Sequence, residues 1–300
     1  MNATTLILLY ILLTFSGRIS SKLCGNIVEK NGVGRFSIFF ILNGIFACLF
    51  FTVSSRFNIS VNLPTLLYSL AYATVVILSL VSSLKLYSFA SIGGTSIITS
   101  SCALVATSLI GALLFSERIT ILSIIKIILL IFSVVLVFFD KKSQSDKNIS
   151  AQKKNHMIFA LLILLSVLSS AANTIVTKYF TLSSIVTDEN SFFFLTNLIL
   201  VLGSLAFLGI YALISPSDTK ESLKILTPKA VLSIGVNTFS SNLSSLVSIF
   251  MISKMAVIFY APLTTAVATV VGFICSLLFK ERPGIFSYVA AAISVLVILI

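Results

Sequence analysis

Histidine occurs once in the 300 residues, at His156, and all nine acidic residues fall in polar breaks or at the ends of apolar runs, never inside one. These shortages exclude most chemistry that a membrane enzyme could perform. Metalloprotease action needs a His-Glu-x-x-His pair, aspartyl action needs two aspartates within the bilayer, and a serine nucleophile needs a base beside it. The four cysteines, Cys24, Cys48, Cys102 and Cys275, are far apart and form no CxxC pair. They read as small buried residues, so no metal and no cofactor is expected. An enzyme is not expected either.

Charge is scarce too. Only 10% of residues are charged, 58% are apolar and the mean hydropathy is +1.14, too apolar for a soluble domain that must wet its surface. The net charge of +11 would suggest nucleic acid in a soluble protein. Here the Lys and Arg residues occupy the breaks between apolar runs, where they meet lipid headgroups, and nucleic acid is not an expected partner.

What is present in quantity is the apolar run. A helix needs roughly 20 apolar residues to cross about 30 Å of hydrocarbon. Reading runs between charged or Gly/Pro/Asn breaks predicts ten transmembrane helices near 3–24, 36–54, 64–86, 90–115, 119–139, 157–179, 191–214, 229–251, 255–279 and 284–300. The first run imitates the core of a signal peptide over Leu6–Phe15, but no basic residue precedes it and no small-x-small site follows directly, so it is read as a helix. The polar stretch 141–156, rich in lysine, divides a first five-helix unit, 1–140, from a second, 157–300. The expected fold class is therefore an all-α membrane protein with two five-helix repeats.

The repeat is visible in the residues. Leu113-Leu114-Phe115-Ser116-Glu117-Arg118 matches Leu277-Leu278-Phe279-Lys280-Glu281-Arg282 at an offset of 164, and Ser101, Ser108 and Ala112 align with Thr265, Gly272 and Ser276. Small residues at matching positions let neighbouring helices approach closely. Five spans are an odd number, so the copies lie upside down relative to each other. Two such halves, each closing its fourth helix on a Glu followed by a basic residue, resemble the drug/metabolite transporter superfamily, in particular its ten-helix EamA-like family. The resemblance implies a solute cavity between the halves, alternating access without ATP hydrolysis, and export from the cell.

Orientation is read two ways. Of 17 basic residues outside Arg18, Lys22 and Lys178, 13 fall on the face that holds the 141–156 stretch and four on the other. The positive-inside rule puts that stretch in the cytoplasm and both termini outside; the resemblance implies both termini inside.

Polar residues on a span should face a cavity or a neighbour rather than lipid. Ser166, Ser170, Asn173 and Thr177 form one stripe ending at Lys178, and Thr14, Arg18 and Lys22 lie four apart on one face of the first run. Arg18, Lys22 and Lys178 either snorkel to the headgroups or face a cavity and attract an anionic or zwitterionic solute. The 229–251 run carries Asn237, Ser240, Ser241, Asn242, Ser244, Ser245 and Ser248; serines there can be quiet filler, and Asn237 and Asn242 are the stronger candidates because an amide needs several partners. Tyr260 and Pro262 add a candidate solute contact and a candidate kink or hinge, although the position aligned with Pro262 is Ile98. Glu117, Arg118, Glu281 and Arg282 are read as interfacial motif residues that hold helix junctions, with proton coupling the alternative.

No run contains the carboxylate that small multidrug relatives in this superfamily use to share a proton and a cationic drug. The expected solutes are accordingly amino acids, organic acids or phosphorylated metabolites, carried by a secondary transporter. A multidrug exporter, a channel and a lipid flippase are the alternatives. The partners expected are the small solute, membrane lipids and a second copy of the chain as a homodimer.

Overall fold

The computed structural model describes residues 3–28, 32–89, 92–115, 120–140, 149–183, 188–280 and 284–299. Glu117, Arg118, Glu281 and Arg282 lie outside them. The described residues form helices joined by short turns: α1 (Ala3–Val28), α2 (Gly32–Ser54), α3 (Leu63–Phe89), α4 (Ile92–Phe115), α5 (Ile121–Asp140), α6 (Ile149–Leu182), α7 (Glu189–Ile214), α8 (Pro216–Leu223), α9 (Pro228–Lys254), α10 (Val257–Leu278) and α11 (Ile285–Leu299).

Caps set several of the starts. Asn62 Oδ1 accepts the Thr65 amide at 2.8 Å ahead of α3, and Asp188 Oδ1 accepts the Ser191 amide to open α7. Thr227 caps α9, whose first residue is Pro228, a position where the missing amide is no loss. Two features depart from the sequence reading. Helix α6 begins at Ile149, inside the stretch read as linker, where Ala151, Gln152, Lys153 and Lys154 are good helix formers that extend a helix already nucleated by the apolar run. The short α8 was not expected; Pro216 at its first turn starts it directly after α7.

Among the described residues seven helices, α1, α2, α3, α4, α6, α7 and α10, are long and apolar enough to cross a membrane. Shorter apolar stretches lie in α5 (Ile121–Ser133) and α11 (Ile285–Val297), and α9, rich in serine, is too polar to join the seven. The outside of the bundle is apolar: Leu113, Ile121 and Leu213 expose 79%, 79% and 85% of their surfaces. An exterior of this kind suits lipid and fits a membrane-embedded protein.

The principal packing pairs are α2 with α7, α4 with α10, α1 with α9, α3 with α6, and α5 with α11. Exchanging α1 to α5 for α6, α7, α9, α10 and α11 maps this set onto itself: α1 on α9 becomes α6 on α3, and the other three pairs map to themselves. The pairs α2 with α9 and α3 with α7 also exchange, as do α4 with α5 and α10 with α11.

Close approach of α2 and α7 depends on Gly44, where an added Cβ would collide with Val201 Cγ2 and come within 3.1 Å of the Asn197 carbonyl oxygen. Above that crossing lies an aromatic core. Phe180 stacks on Phe192 at 4.1 Å between ring centroids, Phe51 stacks on Phe193 at 5.1 Å, and Tyr72 meets Phe192 edge-on at 5.1 Å. It locks α2, α3, α6 and α7 together and fixes where Tyr72 stands.

Candidate functional site

Six helices, α1, α3, α4, α6, α9 and α10, enclose a cavity of about 310 Å³. Among the described residues its wall is made of 26, of which 17 carry a hydroxyl, one is a cation and none is an acid. Water or a polar solute suits such a wall, and a lipid chain does not. The sequence explains the missing acid fully: none of the six helices contains an Asp or Glu anywhere along its length.

The cation is Arg18, on α1. It lies near enough to Tyr10 and Cys275 to interact with them electrostatically. Tyr10, Tyr72 and Tyr260 also stand on the wall, brought there by α1, α3 and α10. Tyr10 and Tyr260 both reach Ser248, and Tyr72 reaches Asn173 and Ser245. Tyr260 sits in the first turn of α10, where its amide bonds the Ala256 carbonyl at 3.0 Å. Pro262, buried two residues on, is not on the wall, but it removes one backbone donor from the turn that presents Tyr260 and Ala261 to the cavity.

Of the candidates named from sequence, Arg18, Asn173, Thr177 and Tyr260 are on the wall. The α6 stripe is there as a unit, with Ser166, Ser170, Asn173 and Thr177 joined by Thr174. Lys22, Lys178, Asn237 and Asn242 stand elsewhere. Lys178 directs its ammonium to the carbonyls of Ile252 and Met255, at the end of α9. Asn237 is buried between α1 and α9, where its Oδ1 accepts from Ser20 Oγ at 3.1 Å and Ser21 Oγ at 2.9 Å. Asn242 Nδ2 is buried and has no hydrogen-bond partner among the described residues. Lys22 is half-buried, away from the cavity.

The contributions of α3 and α4 were missed. Ser79 and Ser83 on α3 and Thr99, Ser100 and Thr107 on α4 are all wall residues. A signal existed: Ser79 and Ser83 match Ser244 and Ser248 of α9 at an offset of 165, one more than the offset of 164 that relates α4 to α10, and all four line the cavity. Ser100 and Thr264, related by 164, also both line it.

No protein-family model matches this chain, and no curated protein matches its sequence. Its functional reading rests on the cavity.

Proposed function

We propose that the chain is a secondary transporter of small organic solutes: a multi-pass protein of the cell membrane whose ten long helices form two inverted five-helix repeats of the EamA-like kind. The observation that carries the reading is the origin of the cavity wall. It draws α1, α3 and α4 from one half and the corresponding α6, α9 and α10 from the other. A site at the meeting of two related halves is what alternating access requires, because rocking one half against the other exposes it to each side in turn. The packing pairs, which exchange between the halves, support the same arrangement. The cavity's size, at the lower end of small-molecule pockets, suits a metabolite.

The test is counterflow. Purified protein in sealed vesicles preloaded with an unlabelled solute should accumulate the labelled form transiently and saturably, across a panel of amino acids, organic acids, sugar phosphates, nucleosides and cationic dyes. Flux of several solutes without saturation or exchange would mark a channel and end the carrier reading.

A further inference from the structure

On the carrier reading, the state of the wall's hydroxyls narrows the solute further. Ten of them fall into two sets. In the first, Thr107 Oγ1 donates to the Ala103 carbonyl at 2.9 Å, Thr174 Oγ1 to the Ser170 carbonyl at 3.2 Å, Ser245 Oγ to the Ser241 carbonyl at 2.9 Å and Thr264 Oγ1 to the Tyr260 carbonyl at 3.1 Å. Thr265 Oγ1 donates across helices to the Ser100 carbonyl at 3.3 Å. Each of these five hydroxyls has one proton and has placed it on a backbone carbonyl, so what it offers the cavity is an oxygen that accepts.

The second set is open. The hydroxyls of Ser79 and Ser83 on α3, Ser166 and Ser170 on α6 and Ser244 on α9 bond no protein group among the described residues, and none of their oxygens is sealed inside protein. Ser166 is the sharpest case, because the residue is only 8% exposed and its hydroxyl still lacks a partner. A helical serine can settle its proton one turn back, as Ser82 does on the Leu78 carbonyl. A hydroxyl withdrawn from bulk water with no partner costs free energy until water or a solute supplies one. These five serines can each donate and accept.

The two sets interleave around the cavity. Open serines come from α3, α6 and α9, and accept-only oxygens from α4, α6, α9 and α10. A solute must therefore present donors and acceptors on several sides at once, and a hydroxyl does both from a single atom. A carboxylate or phosphate brings acceptors only, which the accept-only oxygens cannot answer. An ammonium group finds no carboxylate on the six helices. Arg18, which already interacts with Tyr10 and Cys275, is one wall residue against 17 that carry a hydroxyl.

We infer that the cavity binds an uncharged polyhydroxylated solute, a single sugar ring or an open-chain polyol. Its hydroxyls donate to the four threonine oxygens and Ser245 and accept from the open serines. A cavity of about 310 Å³ suits one molecule of that size.

The experiment uses the full chain in proteoliposomes, with labelled glucose and labelled sorbitol as probes. At least one should be taken up saturably. Against that probe, hexane-1,6-diol (the same chain length, two hydroxyls), alanine (a zwitterion), glucosamine (a cation) and gluconate (an anion) should each compete about tenfold or more less well than the unlabelled probe, the size expected for losing several neutral hydrogen bonds. Ser166→Ala and Ser170→Ala remove hydroxyls that hold nothing within the protein. At least one should raise the half-saturating concentration about two- to tenfold with Tm unchanged, while Ser82→Ala, off the wall, leaves it as it was. Unaltered half-saturation in both Ser166→Ala and Ser170→Ala would overturn the inference. So would competition by hexane-1,6-diol, alanine, glucosamine or gluconate as strong as by the probe itself, and either result leaves the carrier reading standing. Absence of uptake of both probes would overturn the inference as well, and the broader counterflow panel would then judge the carrier reading separately.

Discussion

The ammonium of Lys178 donates to the carbonyl of Ile252 at 3.1 Å, tying α6 to the last turn of α9; its second bond, to the Met255 carbonyl, is 3.2 Å long. The final carbonyls of a helix have no intrahelical donors, and a cation there also meets the negative end of the helix dipole. Lys178→Met keeps the apolar stem and removes both bonds. It should destabilise the protein by about 1–3 kcal/mol, read as a lower Tm in detergent, and Lys178→Arg should restore part of the loss. An unchanged Tm for Lys178→Met would mean that the junction does not depend on this contact.

The interface of α1 and α9 contains a second polar seam, in which Ser16 Oγ donates to Ser240 Oγ at 2.9 Å beside the Asn237 contacts. Ser20 can place its proton on its own helix instead, on the Ser16 carbonyl at 2.8 Å, whereas Ser21 has no such alternative among the described residues. The Ser21–Asn237 bond should therefore carry most of the coupling. A double-mutant cycle with Ser21→Ala and Asn237→Ala should return an interaction energy of about 0.5–1.5 kcal/mol, in the range found for hydrogen bonds between membrane helices. A value indistinguishable from zero would reject the seam as a stabilising element.

Glycine at 44 is a packing requirement. Gly44→Ala should lower stability by about 1–3 kcal/mol because Val201 and the Asn197 carbonyl leave no room for a methyl group. The control is Gly203→Ala on α7, where nothing lies within 4 Å and where alanine's better helix propensity should leave stability equal or slightly higher. Thermal unfolding of the two variants side by side checks the contrast, and equal losses would contradict the close approach of α2 and α7.

The cavity should be wet. With the four native cysteines replaced, Ser244→Cys should react with a charged, water-soluble thiol reagent, while Leu8→Cys, whose native side chain is 57% exposed on the apolar outside, should not. Reaction at Leu8→Cys as fast as at Ser244→Cys would place water on the outer face and contradict a lipid-covered exterior.

Long apolar runs made the helices legible, because a bilayer imposes a length and a composition that few residues can meet. The α6 stripe was legible for the same reason, since Ser166, Ser170, Asn173 and Thr177 recur at three and four residues along a run that begins with the wholly apolar Leu161–Leu165. The seven serines and asparagines singled out on α9 looked alike in sequence but divide in space: Ser244, Ser245 and Ser248 line the cavity, Asn237 and Ser240 bond α1, Ser241 is exposed and Asn242 has its Nδ2 buried off the cavity wall. Nothing local separates these roles, since each depends on which helix lies opposite. Ser79 and Ser83 on α3 were invisible for a related reason. A serine on an apolar helix can satisfy itself on its own backbone, as Ser82 does on the Leu78 carbonyl at 2.8 Å, so hydroxyls alone do not mark a cavity.

Helix α9 is assembled from residues that lipid does not welcome, and its main partner, α1, is made more than 200 residues earlier in the chain. On the membrane reading, α9 gains little by entering the bilayer alone. Its insertion during synthesis must draw on contacts with helices already in place, through the Ser16–Ser240 and Ser21–Asn237 bonds and the apolar flank against α2. The order of biosynthesis thus becomes part of the folding problem, and a chain lacking α1 would leave α9 stranded at the membrane surface.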